Sequence, residues 1–103
     1  MKRKNNEPSY PLYCVILKAV RTDKRLTANA KLLYGDIATL RGQDGYCNKT
    51  NAYFAELSGC TVRRVLIWLN QLIECGYVRR EIIKDEGTGE VLERRLYCID
   101  SEV

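Results

Sequence analysis

The chain has no histidine, and its five cysteines, Cys14, Cys47, Cys60, Cys75 and Cys98, never stand as a CxxC pair. A zinc site built from Cys and His needs its ligands in two close pairs, so no metal site is expected. Losing histidine also removes the commonest general base and half of most nucleophilic dyads. Neither a GxxxxGKS/T nor a GxGxxG run is present, and the carboxylates are scattered along solvated faces. No stretch approaches the roughly 18 apolar residues of a membrane span. Met1, Lys2, Arg3 and Lys4 lead into Asn5 without the apolar core of a secretory signal. These absences argue against an enzyme, a cofactor and a membrane partner. They favour a cytoplasmic chain whose odd set of thiols stays reduced, serving mostly as small core hydrophobes.

What is present is ordinary in amount. A length of 103 residues suits one domain with a modest core. Hydrophobic residues at 46% and charged ones at 29% argue against wholesale disorder. The net charge of +4 permits a polyanionic partner without demanding one.

Residues 1–9 are polar and basic and read as a flexible arm, residues 10–100 as the domain, and residues 101–103 as a tail. Residues 10–20 are apolar and β-branched enough for a short strand or packed extended segment, with a helix open from Val15 onward. The first clear helix is capped by Thr27 and carries Ala30, Leu33, Tyr34, Ile37 and Leu40 at helical spacing. It should end near Arg41, with Gly42 taking positive φ. Gly35 inside it suggests a close helix approach. After a connector at 45–49, Thr50 caps a second helix over 51–58, with Phe54, Ala55 and Leu57 inward. Thr61 caps a third over 62–75, and Gly76 ends it. Strand-like patterns follow at 77–84 and 91–99. The polar, two-glycine connection over 85–90 reads as a hairpin with a flexible tip.

The strongest local pattern spans residues 51–70. Ala55 is small where a second helix must pack, Gly59 supplies the turn, and Val65 and Trp68 anchor the next helix. That is the pattern of a helix-turn-helix followed by a hairpin. The plainer alternative is a three-helix bundle with a hairpin attached, in which the polar residues of the third helix are merely solvated.

On a helix of 3.6-residue period, Val65, Trp68, Leu69, Leu72 and Ile73 share one side of the third helix. Val62, Arg63, Arg64, Ile67, Asn70, Gln71 and Glu74 share the other. Arginine can pair with guanine O6 and N7, and Asn or Gln with adenine N6 and N7. The helix start at Thr61 offers backbone N–H groups to a phosphate. Ile67 and the flanking Leu66 fit either a thymine methyl or a protein contact. The hairpin carries Arg79, Arg80, Lys84, Arg94 and Arg95, which can reach phosphates or a minor groove, or else pair across strands with Glu81, Glu86, Glu90 and Glu93. Lys49 and Thr50, where the second helix begins, are further phosphate candidates, as are Lys2, Arg3 and Lys4 of the arm.

Leu26 to Gly35, Gly45-Tyr46-Cys47, Asn51 to Leu57, Trp68 to Leu72 and Gly76-Tyr77-Val78 together resemble the winged helix-turn-helix domain of phage and mobile-element replication proteins in Gram-positive bacteria. The resemblance covers about residues 12–98. It implies an α+β fold, a three-helix core with a C-terminal hairpin wing, at the N-terminus of a replication initiator or primosome-loading protein. It further implies sequence-specific binding to double-stranded origin DNA, a homodimer, and replication proteins as further partners. On this likeness Thr61 to Arg64, Asn70 and Gln71 belong to the recognition helix and residues 85–90 to the wing tip. The chain departs from the pattern in ending at Val103, without a second region, and in carrying Leu66 and Ile67 where polar residues are usual. A transcriptional repressor on the same fold, and a protein-interaction module of a primosome, remain as alternative readings.

Overall fold

The computed structural model of the chain describes residues 13–99. The basic arm and the tail expected from the sequence lie outside the described residues. Residues 13–17 take no regular structure, and one helical turn follows, α1 (Lys18–Arg21). Of the readings open for residues 10–20, the packed segment and a helix beyond Val15 hold in the described part, and the strand does not form. No neighbouring strand is there among the described residues to receive its hydrogen bonds, and Ile16, Leu17 and Val20 pack instead on the helical core.

The first long helix is α2 (Ala28–Thr39), started by the Thr27 hydroxyl, which accepts from the Ala30 N–H at 3.2 Å. It stops two residues earlier than the glycine argument suggested. Leu40 ends it at φ −92°, and Gly42 does not adopt positive φ. The reversal comes later, at Gly45 with φ 88°, whose N–H donates to the Gly42 carbonyl. Gly35 does mark a close approach, but to the N-terminal segment rather than to a helix. A Cβ there would lie 3.0 Å from Ile16 Cγ1 and 3.4 Å from Cys14 Cβ.

Thr50 caps α3 (Asn51–Ser58), accepting from the Tyr53 N–H. The turn follows at Gly59, φ 70°, in the left-handed region that an unbranched glycine occupies without strain. The Cys60 N–H reaches the Ala55 carbonyl and the Gly59 N–H the Glu56 carbonyl, the paired bonds of a Schellman ending. Thr61 then caps α4 (Val62–Glu74), accepting from the Arg64 N–H. A second Schellman ending at Gly76 turns the chain into β1 (Val78–Lys84). β2 (Val91–Cys98) returns antiparallel, Val78 opposite Cys98 and Ile82 opposite Arg94, with an irregularity at Ile83/Lys84. The tip is closed by its own bonds, Asp85 and Gly89 or Glu90 exchanging backbone hydrogen bonds at 2.8 Å. Cys47 adds a two-bond bridge to Leu96, so β2 has a stub of chain on its far side.

The core sits where the helices meet the base of the hairpin. Val20, Leu33, Ile37, Phe54, Val65, Leu69, Leu72, Val78 and Leu96 are buried within it. Each such side chain contributes about 1.5–3 kcal/mol on leaving water. Leu57, expected inward, is instead 48% exposed, because the short α3 turns only Phe54 and Ala55 to the core. Four helices among the described residues, the first a single turn, followed by a C-terminal hairpin make this an α+β winged helix-turn-helix. No helix among the described residues is long and apolar enough to cross a membrane.

Candidate nucleic-acid interface

The inner side of α4 is held by Val65, Leu69 and Leu72, with Trp68 and Ile73 partly buried beside them. That fixes the rotation of the helix and hence what its other side presents. Arg63, Arg64, Ile67, Asn70 and Glu74 are exposed, and no other element covers them among the described residues. The side chains of Arg63, Arg64 and Asn70 make no hydrogen bond or ion pair there. Their donors and acceptors are left to solvent or a ligand. At the helix start, the Thr61 hydroxyl is used as an acceptor by the cap, but its proton remains available to donate. Thr50 stands in the same state at the start of α3. The N-terminus of α4 thus follows the turn directly, and that of α3 lies at the opposite end of its helix, each with free first-turn N–H groups.

Gln71 is a correction to the expected face. It is half-buried, and its Oε1 accepts from the Thr27 N–H at 3.2 Å and the Thr27 hydroxyl at 3.0 Å. A backbone N–H can only donate, so the amide oxygen must face it. A bidentate reading of adenine needs that oxygen free. Gln71 therefore ties α4 to the start of α2.

The hairpin cations divide. Arg80 and Lys84 are exposed with no side-chain partner among the described residues. Arg79 is exposed but stacked on Tyr97, its guanidinium 4.2 Å from the ring centre. Arg95 donates to Glu93 at 3.0 Å and lies 4.5 Å from the Tyr46 ring centre, and the Glu93 hydrogen bond raises its pKa. Glu93 is lowered correspondingly by Arg95, with Asn48 as a further donor. The alternative of cross-strand pairing is largely unrealised among the described residues. Glu93 and Arg95 lie on one strand, and Glu81 accepts from the Tyr97 hydroxyl instead.

Arg94 corrects the wing assignment more strongly. Its Nη1 donates to Asn51 Oδ1 at 2.7 Å and its Nη2 to the Lys49 carbonyl at 2.6 Å. Burial pushes its guanidinium pKa down, yet arginine stays charged. Arg94 is thus a brace between wing and α3, turned inward from any phosphate. Asn51, its partner, was not singled out from sequence, since nothing local links it to a residue 43 positions away. Tyr46 and Tyr97 were missed for the same reason. Lys49 keeps its ammonium 5.1 Å from the Tyr53 ring centre, beside an open cleft of about 620 Å³ between Thr50 and Leu92.

Over residues 24–78, more than half of the chain, the sequence matches a family described as a helix-turn-helix domain. The match runs from the approach to α2 to the first residue of β1 and so includes α3, the turn and α4. No curated protein and no solved structure gives a match.

Proposed function

The chain belongs to the helix-turn-helix domain family, and we propose that it binds double-stranded DNA sequence-specifically, with α4 in the major groove, as an origin-recognition protein of a phage or mobile element. The observation that carries the DNA reading is the bare outward face of α4. Arg63, Arg64 and Asn70 have the donor and acceptor groups that read purine edges, and they have no partner inside the described chain. Arg80 and Lys84 on the wing, with Lys49 and Thr50 at the start of α3, would take phosphates. The role is that of a binding module rather than an enzyme.

Origin recognition rests on the likeness of residues 12–98 to replication-protein domains, as do replication proteins as further partners. Binding as a homodimer is part of the same reading. The outer edge of β1 carries no further strand among the described residues, so it can pair across a two-fold axis. Half-sites would then lie about 10 base pairs apart, one turn of the duplex.

The experiment is a gel shift with duplexes tiled across the chain's own genetic element, repeated over a salt series. Binding should concentrate on the replication origin and weaken steeply as salt rises, with a slope of about −0.9 per phosphate contact. No shift at low salt would end the DNA reading. A preferred site at a promoter away from the origin would end the replication part alone.

A further inference from the structure

Ile67 is half exposed, at 50%, in the middle of a helix face that is otherwise polar. Residues three and four positions apart are neighbours on a helix surface. The neighbours of Ile67 are therefore Arg63, Arg64, Asn70 and Gln71. Val62, expected on the same side as Ile67, stands five positions and about 140° round the helix from it, nearer the buried Val65, so Val62 and Leu66, the other exposed apolar residues of α4, lie on its flank. Ile67 is thus a single apolar knob inside a frame of arginine and amide groups. Large contiguous apolar patches mark protein-docking faces, and the polar neighbours three and four positions away leave Ile67 without one. The major groove of DNA, by contrast, presents isolated methyl groups among hydrogen-bonding edges, and thymine C5 is their source.

Resting on the duplex-DNA reading above, we propose that Ile67 is a specificity-determining residue whose side chain seats against the C5 methyl of a thymine, beside bases read by Arg63 or Arg64 and by Asn70. The cores of the two contacts differ in kind. The arginines and Asn70 exchange hydrogen bonds with base edges, whereas Ile67 and the methyl remove apolar surface from water together. The preferred site therefore contains a thymine that uracil, its demethylated counterpart, cannot replace.

The test begins with a pool of random-centre duplexes, from which the protein selects its preferred site. That duplex is then remade with deoxyuridine at each thymine in turn, and its affinity is measured for the native protein and for Ile67→Ala. At one thymine, loss of the methyl should weaken native binding about three- to fivefold, the factor for burying one methyl group. The same replacement should cost Ile67→Ala nothing further. Ile67→Ala should keep its fold, since the residue is half exposed, and circular dichroism checks this. The proposal is overturned if no deoxyuridine replacement matters, if the selected site has no thymine, or if Ile67→Ala loses the same factor on both duplexes. It is equally overturned if Ile67→Ala changes self-association while leaving DNA affinity intact, which would make Ile67 a protein contact. Failure of the pool to bind at all would remove the DNA reading and this inference together, a result distinct from selection without methyl dependence.

Discussion

The outward face of α4 and the wing both present cations, but the two regions use them differently. On α4, Arg63 and Arg64 stand exposed with no side-chain partner among the described residues. On the wing, Arg94 braces α3, Arg95 is bound to Glu93 and Tyr46, and Arg79 lies on Tyr97. Of the wing cations, Arg80 and Lys84 alone resemble the α4 arginines in having no side-chain partner among the described residues. A two-stranded hairpin is marginal by itself; this one is fastened by Val78 and Leu96 in the core and by Arg94, whose guanidinium reaches α3. A helix already locked by Val65, Leu69 and Leu72 needs no such fastening and can leave its far side bare. Equal charges in a sequence thus divide into structural and available ones according to how well their element is otherwise held.

The largest effect that would sharpen this contrast is expected from Arg94→Ala. It leaves the Lys49 carbonyl and Asn51 without their charged donor in a partly buried place, at a cost of about 1.5–3 kcal/mol. Urea denaturation should show the loss, which is large against the roughly 5–15 kcal/mol that holds a domain folded. Stability unchanged within about 0.5 kcal/mol would mean that the brace is idle, and the contrast would fail.

Next in size, Arg80→Ala and Lys84→Ala should leave stability unchanged. Each should make the salt slope of DNA binding shallower by about 1, uniformly over different duplexes. A base-specific loss from either would place the wing in a reading role and blur the distinction.

The smallest effect concerns the Glu93–Arg95 pair. Arg95 holds the Glu93 carboxyl below its ordinary value of 4.5. A depressed carboxyl stabilises the fold above its ordinary pKa, and that contribution is lost as pH falls through the depressed value. Glu93→Gln should therefore be slightly less stable than the native chain at pH 7, with the difference vanishing on acidification. Released from its partner, Arg95 should also steepen the salt slope. A stability difference that does not change with pH would contradict the pairing.

The readable parts of the fold were those whose causes lie within a few residues. Thr27, Thr50 and Thr61 cap helices because a hydroxyl and an N–H three residues on meet by local geometry. Gly59 and Gly76 end helices because their own φ demands it. Gly42 misled because Gly45, three residues later, took the reversal once α2 had ended at Thr39. The bare face of α4 followed from helical period alone. What did not follow was set by partners far along the chain. Gln71 meets Thr27 across 44 positions, and Arg94 meets Lys49 across 45. No periodicity records such meetings. The wing cations accordingly looked alike in sequence, and only their packing separates them.

The central claim is that the arginines of α4 read bases while the engaged arginines of the wing do not. It is tested most directly by measuring affinity of Arg63→Ala, Arg64→Ala and Arg95→Ala for the selected duplex and for copies changed at each guanine. Arg63→Ala or Arg64→Ala should weaken native-site binding by about 1–3 kcal/mol and abolish discrimination at a defined guanine. Arg95→Ala should preserve discrimination at every position. Uniform weakening by all three, with every guanine still distinguished, would contradict the account.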